Sequence, residues 1–509
     1  MSGITKPALL VMAFAPAETD IGGRARDHLA RMWRACGSLG MREPVPGTSV
    51  PADRIDFGSA PPVAPRFTLL AAAQRTGDDS VYSAFAFADH DVVGVVALLA
   101  PNDTAGGLTQ WADLDAEWNA AVAAAGRPPG PPDLLGEFRV FEALHGPWLG
   151  RRDRAMCELV RRHAPRTGSE PWWAGFDRTE HGFSVWRSTE AAEPGDATDL
   201  YVLAPARYEA DLDEWAWAAD GRNGLRPLAR YLLQLSKIRY QGRLYALSEP
   251  SRAQIAESDE RTTALLRELD SAARRPVPLE RLLRTSHLLD ETQFGPQGLL
   301  WTITRQRQLT RSLSTAVANM ALHTPDPRRH GAGVSWTVTD LADAEWLIKQ
   351  VDEDRLHLEA ARERADSVRA AVSVLVEREL VSHRSWLTLV QTSILGSLLT
   401  ALAAVQTMNY KMPLRKALES PVIVAVAALA LALPLATLRW AGVAPTTSRY
   451  RWLDSGVAGL FGASLGWLAV TCVALGRGGG PPATPWSLTG AVVAGLIASA
   501  GTHLLTRPR

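Results

Sequence analysis

The last 125 or so residues constrain this chain most. Four stretches there, Trp386–Met408, Pro421–Leu438, Gly456–Leu475 and Trp486–Leu505, contain no Asp, Glu, Lys or Arg. Each is about 18–23 residues long, enough for a helix to cross roughly 30 Å of hydrocarbon. Trp386, Tyr410, Trp440, Trp452 and Trp486 stand at or near their ends, where aromatic rings anchor a helix to the interface. Ala458, Gly462 and Gly466, then Ala491, Gly495 and Ser499, recur at four-residue spacing, which lets two backbones approach closely. The mean hydropathy of −0.06 hides all this. The first 380 residues are polar, so the pattern predicts a soluble body joined to a membrane tail of four spans.

Charge sets the expected orientation. With an even number of spans both ends share one side. A cytoplasmic body places Arg378, Arg384, Arg439, Arg449, Arg451, Arg507 and Arg509 inside, against Lys411, Arg415, Lys416 and Arg477 outside. That bias favours the cytoplasm. Ala8–Ala15 reads as a buried strand and not as a signal sequence, because Pro16 follows the Ala-Phe-Ala triplet at once. Cys36, Cys157 and Cys472 lie far apart, which fits a reducing compartment and no disulfide framework. Lys+Arg and Asp+Glu both number 54, so no basic surplus points to nucleic acid.

The body reads as α+β. Strand patterns at Leu9–Ala15, Phe67–Ala73, Val81–Ala88, Val92–Leu99 and Phe138–Leu144 alternate with helices at Arg24–Cys36 and Leu108–Ala125. The order predicts a ferredoxin-like domain over 1–144. Two segments repeat: LLAPN before ADLDAEWNAA, and YVLAPA before EADLDEWAWAA. They suggest a second, smaller α+β unit over 145–220. A helical region follows over 221–323, then a Pro/Gly/Arg linker over 324–339. The expected fold is one or two ferredoxin-like units, a helical region, a long coiled-coil-like stalk helix over 340–385, and a membrane domain over 386–505.

The stalk carries the clearest periodicity. With Ala344 at a, the a positions are Ala344, Val351, Leu358, Ala365 and Val372, and the d positions are Leu347, Asp354, Ala361, Val368 and Leu375. Nine of these ten are apolar, a heptad seam. It predicts either self-association through Leu347, Val351, Leu358, Val368, Val372 and Leu375, or one amphipathic helix packed on its own body. No proline or glycine interrupts Leu341–Leu395, so the helix should continue into the first span.

Candidate chemistry is sparse. The sequence lacks GxxxxGK[ST], GxSxG, HExxH and GxGxxG, and no enzymatic activity, metal or cofactor is expected. Asp89-His90-Asp91 reads as a turn between strands. Trp172-Trp173 and Trp215/Trp217 read as core or as the frame of a ligand pocket. Arg305–Arg311 reads as a solvated helix face.

The junction of stalk and first span resembles the CorA family of magnesium channels. Met408-Asn409-Tyr410 matches that family's Met-Asn-aromatic signature, and Met412-Pro413 its Met-Pro. Thr407 stands in place of the family's glycine, and Lys411, Arg415 and Lys416 occupy a loop where an acid is expected. The resemblance implies a pore motif over Thr407, Met408, Asn409, Tyr410, Met412 and Pro413, and a divalent cation channel as the alternative function.

The chain as a whole is similar to actinobacterial CATRA proteins (caspase and TPR repeat-associated). The resemblance rests on LVMAFAP, RMWRACGSLGM at 31–41, the two Asp-Leu-Asp/Trp repeats and RSLSTAVANM at 311–320. It implies a non-enzymatic component of a bacterial conflict system, acting in defence or programmed death. The partners implied are membrane lipid, further copies of the chain, and a caspase-like protease or TPR protein.

Overall fold

The computed structural model describes residues 4–57, 63–77, 79–102, 110–126, 133–146, 152–165, 171–188, 197–217, 224–247, 250–274, 279–323, 335–409, 415–440, 448–477 and 482–505. The chain divides into two compact units. The first comprises residues 1–256 and 293–362, and the second residues 257–292 and 363–509.

The first unit is organised by its N-terminal apolar run, which forms β1 (Thr5–Pro16). Leu10, Met12 and Phe14 enter one core, while Leu9, Val11 and Ala13 enter another. A strand apolar on both faces must be covered on both, so β1 lies inside the sheet. Around it come β2 (Glu43–Pro44), β3 (Ala64–Arg75), β4 (Val81–His90), β5 (Val92–Ala100) and β6 (Gly136–His145). Next are β7 (Asp177–Arg178), β8 (Ser184–Arg187) and β9 (Thr198–Pro205). Among the described residues these nine form one sheet in the order β2-β3-β4-β5-β1-β6-β9-β8-β7.

The central β4-β5-β1-β6 run is antiparallel throughout. With α1 (Thr19–Ser38) and α2 (Trp111–Ala124), it has the strand order of the expected split βαβ arrangement. The segment 145–220 does not build a sheet of its own. β9 pairs with β6 in parallel from Phe138↔Thr198 to His145↔Pro205, and β8 and β7 follow. The edge that β6 leaves open is thus occupied by its own chain, which removes an exposed row of backbone donors and acceptors.

Helices cover both faces. Leu29, Met32, Trp33 and Cys36 of α1 lie on one stripe at helical spacing and join Trp111, Leu114 and Trp118 of α2 in one core. Met156 and Val160 of α3 (Asp153–His163) complete that layer. The other face is covered by α4 (Glu209–Ala216), α5 (Pro227–Leu247), α8 (Leu299–Ala321) and the start of α9 (Trp336–Asn409). The two repeated segments therefore end differently: Trp118 is buried in the first core, while Trp215 of α4 is half-buried beside the second.

The heptad seam is covered within the chain. Ala344, Leu347 and Val351 join the second sheet core. Leu358 packs on Leu299 and Ile303 of α8. Asp354, the polar break in the seam, accepts a hydrogen bond from the Tyr245 hydroxyl of α5. In the second unit Ala365, Val368 and Val372 pack on Leu265 of α6 (Pro250–Arg274) and on Leu282 and Leu289 of α7 (Leu279–Phe294). The amphipathic-helix alternative accounts for the packing of the seam from Ala344 to Val372, while Leu375 stays exposed. A heptad pattern reports that a helix has neighbours, not which chain supplies them.

The second unit also holds α10 (Lys416–Trp440), α11 (Ser448–Gly476) and α12 (Thr484–Leu505). Among the described residues two helices are long and apolar enough to cross a membrane: Lys416–Leu433 with 18 residues and Ser455–Gly476 with 22. The other two expected spans lie in the C-terminal part of α9 and in α12. α11 and α12 pack antiparallel through small residues. A methyl group added at Gly462 would lie 2.5 Å from Ala498 Cβ and 2.8 Å from the Ala494 carbonyl oxygen. One added at Gly466 would lie 2.6 Å from the Gly490 carbonyl oxygen.

Candidate functional site

A cavity of about 200 Å³ opens in the first unit where three helices begin or end. The first turns of α5 and α9 contribute Pro227, Leu228, Trp336 and Thr337, and the end of α8 contributes Leu322 and His323. The β7–β8 hairpin adds Asp177, Thr179, Glu180, His181 and Val185, while Trp215 and Tyr231 close the walls.

Asp177 fixes the start of α9. Its carboxylate Oδ2 accepts from Ser335 Oγ at 2.8 Å and from the Thr337 backbone N–H and hydroxyl at 3.2 Å each. The first amides of a helix have no partner within it, and a carboxylate there also meets the positive end of the dipole. Trp336 Nε1 donates to the Val185 carbonyl at 3.3 Å, tying the same turn to β8.

One turn further along α9, buried Asp340 gathers three donors. Arg187 Nη1 lies at 2.5 Å, the Tyr231 hydroxyl at 2.9 Å and Arg239 Nη2 at 3.4 Å. Burial, then the Asp340 charge, raises the Tyr231 hydroxyl well above its ordinary pKa, so it stays a donor. Tyr231 packs edge-on to Trp336 with ring centroids 5.6 Å apart. The Arg187 guanidinium lies 5.2 Å from the Trp336 ring centroid. His323 is pushed below its usual pKa by burial and then by Arg230, which keeps it neutral at pH 7.

The residues singled out from sequence fall as follows. Asp89 and His90 bond to each other at 2.8 Å in the β4–β5 turn, where His90 has φ +52°; Asp91 pairs with Lys237 at 2.5 Å. Trp172 stacks on Tyr201 at 4.7 Å with Trp173 edge-on to it, and Trp217 packs on Phe85; these are core. Trp215 reaches the cavity. Arg305 lies over Trp301, Arg307 pairs with Glu359 at 2.6 Å, and Arg311 is exposed. Thr407, Met408 and Asn409 are the last residues of α9. Tyr410, Met412 and Pro413 lie outside the described residues. Sequence reasoning missed Asp177, Tyr231 and Asp340, because their partners stand more than a hundred positions away.

Comparison with known families gives two matches. The CASPASE and TPR Repeat-Associated N-terminal domain matches residues 8–220, and the C-terminal domain of the same name matches residues 226–365. No curated protein and no solved structure matches significantly. The N-terminal match ends just after α4, and the C-terminal match starts just before α5 and runs into α9, so the cavity is built from both domains. Together they cover well over half of the chain, which therefore belongs to the CASPASE and TPR Repeat-Associated (CATRA) family.

Proposed function

We propose that the chain is a non-enzymatic integral membrane component of a bacterial conflict system, a signalling or effector subunit. The observation that carries this reading is α9. It is one helix from Trp336, in the cavity wall, to Asn409, beyond a charge-free apolar stretch. A continuous helix can carry a two-state signal because it moves as a rigid element. The apolar side chains of its last turns support membrane insertion, for Leu395, Leu398, Leu399 and Leu402 are all more than half exposed. Leu488, Leu496 and Ile497 of α12 are exposed to a similar degree, and patches of this kind in water mark a surface meant for another medium. Four spans, with both termini cytoplasmic, are the arrangement proposed. The family name supplies the proposed partners, a caspase-like protease or a TPR protein. Self-association is proposed through the spans and through the end of the stalk, where Leu375 is exposed.

The test measures membrane potential with a voltage-sensitive dye in bacteria expressing the full chain, alone and with a cognate caspase-like protease. Depolarisation that depends on residues 386–505 supports an effector. A chain that carbonate extracts from membranes, and that leaves the potential unchanged, overturns the reading. The cation-channel alternative keeps one supporting feature, the Met-Asn-aromatic motif at the end of α9. Growth rescue of a magnesium-uptake-deficient strain, lost with Asn409→Ala, would favour it.

A further inference from the structure

The cavity at the start of α9 has the makings of a cation site. Its walls carry three aromatic side chains, Trp215, Tyr231 and Trp336, and its charged lining residues are Asp177 and Glu180. No Lys or Arg is among the described residues lining it. Asp177 is 3% exposed, yet all three hydrogen bonds it accepts end on Oδ2. Among the described residues Oδ1 accepts none. An ionised carboxylate oxygen can accept a further hydrogen bond, so Oδ1 is open to a donor in the cavity.

The other local fields are mixed in sign. The α5 and α9 N-termini each bring roughly half a positive charge, and the α8 C-terminus roughly half a negative one. Asp177 already answers the α9 terminus. Three arginines stand behind the lining: Arg187 and Arg239, both drawn to Asp340, and Arg230, whose charge acts on His323. Arg187 also lies over Trp336, so one cation already uses a ring of this wall in the way aromatic faces favour. Size narrows the class further. About 200 Å³ exceeds the roughly 150 Å³ of an engineered cavity that takes up benzene, and falls short of the ~300–1,000 Å³ typical of drug-sized ligands.

We propose that this cavity binds a protonated amine on a compact body, a single ring or a short alkyl chain, anchored by Asp177 Oδ1. The amine would come from a free small molecule or from a basic side chain of a partner. Its consequence rests on the signalling reading above: the ligand would bond to the carboxylate that holds the first turn of α9, and so bias the helix that the reading makes the carrier.

The experiment is calorimetric titration of the full-length protein in mild detergent. The probes are phenethylamine, its neutral counterpart 2-phenylethanol, and acetyl-Gly-Lys-Gly-amide. Phenethylamine or the peptide should bind at least tenfold tighter than the alcohol, and Asp177→Asn, which keeps an acceptor for the helix cap, should erase the difference. If that variant fails to fold, Trp215→Leu replaces it and should weaken amine binding at least fivefold. Tighter binding of the peptide assigns the amine to a partner's side chain, and tighter binding of phenethylamine to a free molecule. Equal binding of amine and alcohol, or a folded variant that keeps its preference for the amine, overturns the proposal. The two readings fail separately. Amine binding without depolarisation removes the effector role and leaves the site, and depolarisation without amine binding does the reverse.

Discussion

Among single residues, Glu142 makes a testable stability claim. Strand alternation turns Val140 and Leu144 of β6 into the core under α4 and α5, and places Glu142 on the same face. It is 5% exposed. Burial, and then the charge of Asp213, push its carboxyl from 4.5 up to about 8. The folded state thus holds the proton more tightly than the unfolded chain does. The stability this contributes is full below pH 4.5, falls as pH rises, and is gone above about pH 8. Glu142→Gln keeps the shape and cannot ionise. Its melting temperature relative to the natural chain should rise steadily between pH 5 and pH 8, by an amount equivalent to at most a few kcal/mol. Parallel melting curves across that range would contradict the assignment. The composition of β6 shows an acid on a strand, but not that its neighbour in space is Asp213, some seventy positions on.

At the scale of elements, α9 separates two kinds of legibility. Its existence and its apolar stripe were readable, because periodicity records which residues need cover. The identity of the cover was not, because α5, α6, α7 and α8 satisfy the same pattern as a second copy would. Much of the sheet was legible for a related reason: alternating and continuous apolar runs mark β1, β3, β4, β5 and β6, whereas the two-residue β2 and β7 carry no such run. The joining of β9 to β6 was not, since parallel pairing leaves no local mark. Val351 is fully buried in the sheet core, so Val351→Asp should unfold the body by leaving a charge without a partner. A large drop in melting temperature is expected, whereas Val374→Asp, at a half-exposed site, should leave melting unchanged. A folded Val351→Asp protein with altered oligomeric state would return the seam to self-association. The α11–α12 pair makes a parallel claim. Gly462→Leu should separate the helices, because even a methyl there meets Ala498 and the Ala494 backbone. Faster thermal aggregation in detergent, compared with Gly456→Leu where nothing lies within 4 Å, is the readout.

For the whole molecule, the arrangement in the bilayer is the claim with the widest reach. If α9, α10, α11 and α12 each cross once, the connections alternate sides. Arg439, Arg449 and Arg451 then share a side with the body and with Arg507 and Arg509, and Lys411, Arg415, Lys416 and Arg477 face them across the membrane. Positive charges near span ends resist translocation, so the richer side stays in the cytoplasm. The connection between Gly476 and Thr484 is short, the kind of loop for which this rule holds. A periplasmic-type reporter, active only outside the membrane, should therefore be silent when fused after Arg509 and active when inserted between Gly476 and Thr484. Two spans in place of four give a different pattern. If α10 and α11 alone cross, the body and the chain end still share a side, but the connection between α11 and α12 joins them there. The inserted reporter then falls silent, while one placed between Trp440 and Ser448 becomes active. The pair of insertions thus decides both the number of crossings and the side that holds the cavity, and with it which pool of amines the site can meet.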